Sequence, residues 1–385
     1  MSYSNLKTLI SGGENMQIEF KEKVENPGSL AAEMVALANS KGGDILIGVA
    51  DNGRIIGIEK STKLEEWIIN IARNNCEPAM LPEFSYQEID KKIIGVLHIF
   101  QSSEPHRVKG GKFYIRVGST KQEATIEEIR RLFQARGKVQ FDESPVLNSN
   151  LNDLDFGTFN DYYRKVYGIK PSLSGNKLAG ILLKHHILLS SENQEVMSIA
   201  GSLVFGKNPQ SFLKYSGITL MHFRGVKKSI KDKITGLELE GNLPQLVKGS
   251  EDFLKTNLKI KSSMDGFKRI DIPEIPFEVL REALVNAVCH RDYSIFGNKI
   301  RVLIFKDRVE IRSPGRLPNT VELKNLGDSP PFARNQLIVG FMNRLGYIEN
   351  IGQGILLMRE RMREHNKTLP LFQEKGEEFI VILKK

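Results

Sequence analysis

The stretch Arg281-Glu-Ala-Leu-Val-Asn-Ala-Val-Cys-His-Arg-Asp-Tyr293 constrains this chain more than any other. At helical spacing Glu282, Asn286 and His290 fall in one narrow sector, while Leu284, Ala287 and Val288 gather on the opposite side. The segment predicts a helix with core on one face and a carboxylate, an amide and an imidazole along the other. A carboxylate can orient or deprotonate water, and an amide oxygen is a hard donor suited to Mg²⁺. Read alone, the stripe is also an ordinary solvated face of an amphipathic helix.

Its neighbours narrow the choice. Lys299-Ile-Arg-Val-Leu-Ile-Phe305 has strand character, Asp307-Arg308 reads as a tight turn, and Val309-Glu-Ile-Arg312 as the returning strand. Ser313-Pro-Gly-Arg-Leu-Pro318 is a rigid loop, and Gly352-Gln-Gly354 opens a helical pattern through Ile355, Leu356, Met358 and Met362. Glycines at a helix start let backbone N–H groups approach phosphate oxygens where the helix dipole favours negative charge.

With Ala333-Arg-Asn335, these motifs resemble the GHKL-type ATP-binding domain, from about Arg269 to Leu383, found in bacterial proteins labelled RecG-like or transcriptional regulators. The resemblance implies an α/β sandwich that binds ATP with Mg²⁺. Glu282 resembles that superfamily's general base and Asn286 its Mg²⁺-binding residue. Gly315 resembles the glycine of its adenine-side loop, and Gly352 and Gly354 its phosphate-lid glycines. His290, on the same stripe, and Asn335 are grouped with them as nucleotide-side residues. Ser313 stands where the wider superfamily has an Asp that accepts from the adenine amino group, and a hydroxyl is a weaker specificity determinant than a carboxylate. The chain is thus a possible ATPase, with hydrolysis left open.

At 385 residues the chain is long enough for two or three domains, and its 40% hydrophobic content supplies real cores. No apolar run approaches a membrane span, and Met1-Ser-Tyr-Ser-Asn-Leu-Lys lacks a signal-peptide core. Cys76 and Cys289 lack metal-site spacing and read as buried core residues, so the expected setting is cytoplasmic. A net charge of +9 is compatible with a polyanionic partner or simply with a basic soluble protein.

The first 140 residues read as a unit of their own. Strand patterns fall at 17–21, 44–50, 83–89, 93–100 and 113–117, and helix patterns at 29–41 and 64–74. Gly42-Gly43 is a helix stop, and Asp51-Asn52-Gly53 is a hairpin turn leading into Ile55-Ile56-Gly57-Ile58. Thr125 caps a helix through Phe133, with Glu128 placed for a capping box.

Ile18-Glu-Phe-Lys21, Ala36-Leu-Ala-Asn39, Gly42-Gly-Asp-Ile-Leu-Ile-Gly-Val49, Asp51-Asn-Gly53 and Tyr114-Ile-Arg-Val-Gly-Ser119 resemble the AlbA-type domain shared with the Schlafen proteins, over residues 8–136. The resemblance implies binding of DNA or RNA, for which Lys21, Arg116 and Lys121 are the expected phosphate contacts. In some Schlafen relatives three carboxylates make this fold a metal-dependent nuclease, and Glu14, Glu19 and Asp51 could supply such a trio. The structural alternative is that Glu14 is a loop charge, Glu19 pairs with a nearby Lys, and Asp51 shapes the turn.

The expected architecture is α+β: an AlbA/Schlafen-like domain at 1–136, a linker at 137–152, a mixed α/β region at 153–268, and a GHKL-like domain at 269–385. Within the middle region, Gly206-Lys207 lacks the glycine-rich loop a phosphate site needs, and His185-His186 point apart. Phe379-Ile-Val-Ile-Leu383 reads as a last strand, leaving no winged-helix extension and giving nucleic-acid contact to the N-terminal unit. The expected function is an ATP-binding, nucleic-acid-binding regulator, such as a transcriptional one, whose nucleotide state controls conformation or homo-oligomeric assembly. The alternative is a Schlafen-like nuclease under ATP control, acting in defence against foreign nucleic acid.

Overall fold

The computed structural model describes residues 3–135, 140–169, 176–191, 194–265, 268–317, 323–327, 333–348 and 352–385. The chain divides into two units, residues 1–139 and 140–385.

In the first unit, helix α1 (Tyr3–Ser11) precedes strand β1 (Ile18–Lys21), helix α2 (Pro27–Asn39), strand β2 (Gly43–Ile47) and helix α3 (Thr62–Asn74). A short β3 (Cys76–Glu77), β4 (Glu83–Ile89), β5 (Lys92–Ile99), a short β6 (Arg107–Val108), β7 (Tyr114–Val117), β8 (Thr120–Glu123) and α4 (Ile126–Ala135) follow. The main sheet has the order β1-β2-β5-β4, with β1 and β2 parallel and the other pairs antiparallel. Strand alternation splits its side chains between two cores. Ile45, Ile47, Leu97 and Ile99 meet α2 and α3, whereas Leu46, Ile94 and Val96 meet Leu6 and Ile10 of α1. Helix α2 is buried through almost its whole length because Asn26 caps it and its interior is Ala, Leu, Met and Val. The expected capping box of α4 is present: Glu128 accepts from the Thr125 N–H and hydroxyl, and Thr125 Oγ1 accepts from the Glu128 N–H. Ile55–Ile58 is not a strand beyond one bridge at Ile55. Gly57 has φ +88°, and the N–H groups of Ile56 and Gly57 both turn to the Gly48 carbonyl.

The second unit opens with α5 (Phe156–Tyr167), α6 (Asn176–Lys184), the hairpin β9 (Leu188–Ser191) and β10 (Gln194–Met197), and α7 (Ile199–Phe205). Then come β11 (Ile218–Phe223), β12 (Lys233–Leu239), α8 (Leu243–Asn257), and the hairpin β13 (Ile260–Asp265) and β14 (Lys268–Pro273). Helix α9 (Phe277–His290), β15 (Ile300–Ile304), β16 (Arg308–Pro314), α10 (Gln336–Arg344), α11 (Gly354–Asn366), β17 (Leu371–Lys375) and β18 (Glu378–Lys384) complete it. Six strands form one sheet in the order β12-β11-β15-β16-β18-β17, with only β11 and β15 parallel. One apolar core runs from Leu154 and Phe159, through Leu246 and Val288, to Met358 and Leu383, so the middle region and the C-terminal region share it. The segment expected as a linker belongs to this unit from residue 140 onward, residues 137–139 lying outside the described residues. Val146 is in the core, and the buried Asp142 accepts hydrogen bonds from the Leu337 and Ile338 N–H groups at the start of α10. A polar, turn-rich composition signalled a tether, but its polar groups are spent on capping and turns.

Both units combine helices with mixed sheets, as the α+β expectation required. Cys76 and Cys289 are free and buried. No helix among the described residues is long and apolar enough to cross a membrane.

Candidate nucleotide site and nucleic-acid face

Helix α9 packs against α8, α11 and β16 because Val279, Leu280, Ala283, Leu284 and Val288 repeat at helical spacing and are all buried. Its polar stripe holds Glu282 and Asn286 partly exposed and His290 exposed. Asn286 Nδ2 donates to Glu282 Oε1 at 2.8 Å. That leaves the Asn286 amide oxygen available as a hard donor. Gly354, the first residue of α11, lies directly over the carboxylate: a Cβ built there would sit 1.6 Å from Glu282 Oε1. Gly352, two residues earlier, holds φ +87°. The structure therefore brings Glu282, Asn286 and the glycine turn together, at the positive end of α11.

Of the other expected nucleotide residues, Gly315, Ser313 and Asn335 are committed to the scaffold, whereas the His290 side chain is exposed. Gly315, at φ +109°, lets the loop after β16 close onto its neighbours, since a Cβ would fall 2.3 Å from Arg334 Nη1 and 2.7 Å from Asp292 Cβ. Ser313 is buried and its hydroxyl donates to the Ala287 carbonyl at 2.9 Å. Its one hydrogen is thus held by α9 rather than offered to a base. Asn335 is buried too, and its amide donates to the Cys289 and Arg291 carbonyls at 2.9 and 2.8 Å. It ties down the end of α9, where carbonyls lack helical partners. His290 has its carbonyl held by Arg334 Nη1 at 3.1 Å.

Sequence reasoning missed Arg291. Its guanidinium is almost wholly buried and donates to the carbonyls of Tyr215, Asp292, Ile295 and Asn298, with the Tyr293 ring 4.8 Å away. A charged Arg after a helix reads as surface, and only the bends of 292–298, together with Tyr215 from 76 residues earlier, bring four carbonyls to one point.

In the first unit, the three expected phosphate contacts form a closed ionic cluster. Arg116, with no exposed side-chain surface, donates from Nη1 to Glu19 at 2.6 Å and Glu33 at 3.3 Å, and from Nη2 to the Asn15 carbonyl at 2.7 Å. Lys21 is paired with Glu19, and Lys121 with Glu33 at 2.6 Å. Arg116 cannot reach a phosphate, which corrects the expectation for it; Lys21 and Lys121 are only partly exposed and already paired. Burial works to raise the Glu19 pKa, but Lys21 and Arg116 outweigh it and hold the carboxyl below its usual value. At Glu33 burial prevails and the pKa is raised.

The carboxylate trio is likewise not assembled. Glu19 is neutralised by Lys21 and Arg116, Glu14 accepts from the Phe20 N–H at 2.9 Å, and Asp51 lies exposed in its turn. Among the described residues no group of three His, Cys, Asp or Glu is gathered to hold a metal ion. The pairing of Glu19 with the nearby Lys21 is the alternative the sequence offered, but spacing along the chain could not show that Arg116, 97 residues away, would reach Glu19 as well.

Residues 14–125 match the family described as Schlafen, AlbA_2, and residues 297–383 the one described as Putative ATP-dependent DNA helicase recG C-terminal. Over 99% of this chain and 79% of the other, the structure is similar in fold to the DIP2311 protein of Corynebacterium diphtheriae, at 21% identity and a TM-score of 0.52. The N-terminal domain of a Nitrosomonas europaea protein titled as RecG-related is 22% identical over 33% of this chain and 95% of its own, with a TM-score of 0.26. No curated protein matches the chain significantly. The chain joins a Schlafen AlbA_2 domain to a RecG C-terminal domain of the HATPase type.

Proposed function

We propose that this chain is an ATP-responsive nucleic-acid-binding protein. Mg²⁺ and ATP, bound between α9 and the start of α11, set conformation or homo-oligomeric assembly, and the N-terminal unit engages DNA or RNA. The observation that carries this reading is the meeting of Glu282, Asn286 and Gly354. The Asn286 amide hydrogen is turned toward Glu282, which aims the carbonyl oxygen elsewhere and suits it to Mg²⁺. When bound, Mg²⁺ supplies charge neutralisation at the phosphates. Glu282 is placed to accept a proton from an attacking water or to polarise it. The first turn of α11 offers N–H groups without helical partners, and Gly352 and Gly354 allow phosphates to approach them.

The match to a helicase-associated family and to an AlbA_2 domain supports a nucleic-acid partner, as does the net charge of +9. Calorimetric titration of the full chain with ATP and Mg²⁺ is the test. Saturable binding is expected, and a chain that binds no ATP refutes the nucleotide half of the reading. Gel-shift or fluorescence titration with DNA and RNA tests the other half in the same way.

A further inference from the structure

With Arg116 buried and Lys21 and Lys121 already paired, another surface of the first unit is better placed to contact nucleic acid. Strand β5 places Ile94 and Val96 in the core beneath α1, and its alternation carries His98 and then Phe100 along the same face. These two line a cleft of about 390 Å³ together with Gln17, Lys41, Asp44 and Gln101. That volume suits a small ligand or one nucleoside unit.

The cleft is built from both polar and apolar parts. Asp44, only 5% exposed, lies opposite His98 in the β2–β5 register, with Oδ1 2.7 Å from His98 Nδ1. A carboxylate only accepts, so a proton lies on Nδ1, and Nε2 can then accept a hydrogen bond in the neutral ring or donate one in the protonated ring. Phe100 is 51% exposed and stands edge to face with His98, ring centroids 4.6 Å apart at 85°. An upright, half-bare aromatic ring adds little to the core but offers a face on which a flat group can stack. Lys41 is exposed and makes no ion pair with any described residue. The glycines after α2 draw these parts together. A Cβ on Gly43 would lie 2.1 Å from the Gln17 carbonyl oxygen, and one on Gly42 would lie 2.8 Å from the Gln101 nitrogen. Only this Gly-Gly pair lets the turn close onto both segments.

We infer that this cleft is a subsite for one unpaired nucleotide of single-stranded nucleic acid, its base stacked on Phe100 and its phosphate held by Lys41. Gln17, Gln101 and His98 Nε2 supply hydrogen bonds to the base edge. Glu83, the cross-strand neighbour of His98 on β4, makes that side negative and leaves Lys41 as the phosphate side. A base inside a duplex presents no open face, so the subsite selects single strands. The inference rests on the nucleic-acid half of the proposed function and specifies where and how contact is made.

The experiment is fluorescence anisotropy of the full chain with short labelled oligo-uridine and oligo-thymidine strands and a labelled duplex, using wild type, Phe100→Ala, Phe100→Trp and Lys41→Ala. Phe100→Ala is expected to weaken single-strand binding about tenfold, with duplex binding little changed, because stacking on an aromatic contributes on that order per base. Phe100→Trp should restore it. Lys41→Ala should lower the salt slope by roughly the 0.7 of one single-strand phosphate contact, whereas Phe100→Ala should leave the slope alone. Wild type that binds single strands no differently from Phe100→Ala overturns the subsite and leaves the nucleic-acid reading standing. Wild type that binds no nucleic acid removes both. Since Phe100 is half exposed, its replacement should fold normally, which a melting curve verifies.

Discussion

Gly354→Ala isolates the contact on which the proposed nucleotide site depends. The added methyl would stand 1.6 Å from Glu282 Oε1 and 2.5 Å from its carboxyl carbon, where ordinary contact begins at 3.4 Å. The carboxylate must therefore retreat by roughly 1.8 Å, the difference between 3.4 and 1.6 Å. The backbone φ of Gly354 is not in the left-handed region, so alanine brings no strain of its own. Alanine is the better helix former by up to about 1 kcal/mol. Losing the 2.8 Å bond from Asn286 costs about 0.5–1.5 kcal/mol, so stability should barely change. Function should change far more, because a displacement above 1 Å in a catalytic group costs on the order of 100-fold in rate. The assays are steady-state ATP turnover, ATP titration and a melting curve on the same preparation. Unaltered melting with turnover reduced about 100-fold is the expected result. A variant with wild-type turnover and affinity would refute the placement of Glu282 in the site.

If the chain hydrolyses ATP, Glu282→Ala should abolish turnover while leaving ATP binding largely intact; unchanged turnover rules out Glu282 as the base. Arg116→Ala strips the cation from between Glu19 and Glu33 and should cost about 3–5 kcal/mol, read from the fluorescence of Trp67, the chain's single tryptophan, which packs on the core of that unit. A change under 1 kcal/mol would show the cluster to be dispensable. Burial pushes the Asp142 carboxyl from 3.8 up to about 6. The folded state then binds the proton more tightly, so this group's contribution is complete below pH 3.8 and is lost as pH rises through about 6. A rise from 3.8 to about 6 corresponds to about 3 kcal/mol. Asp142→Asn keeps an acceptor for Leu337 and Ile338 and should erase this pH dependence; parallel stability curves for variant and wild type would contradict it. Arg291→Met leaves the Tyr215, Ile295 and Asn298 carbonyls without their donor and should destabilise the second unit by several kcal/mol, measured by calorimetry.

Much of this molecule is legible in local pattern. The alternation of 83–89 and 93–100 gives β4 and β5 almost residue for residue, and Thr125 with Glu128 gives the cap of α4. These features depend on neighbours within a few positions, where spacing translates directly into geometry. The helix at 336–344 and the hairpin at 260–273 went unread. Val339 and Phe341 mark α10 as helical only once the core they enter is known, whereas Asp265-Gly266 between β13 and β14 is a hairpin signal already present in the sequence.

The sequence by itself determined the two matched regions, the carboxylate–amide stripe of α9 and the glycines that would face it, because each is written in residues close along the chain. Tertiary structure alone decided which charges are available. Arg116 comes from 97 residues away to neutralise Glu19, and Asp44 meets His98 across 54 residues. Whether a cation reaches phosphate or a neighbouring carboxylate depends on distance and burial. Both quantities exist only once the strands have paired.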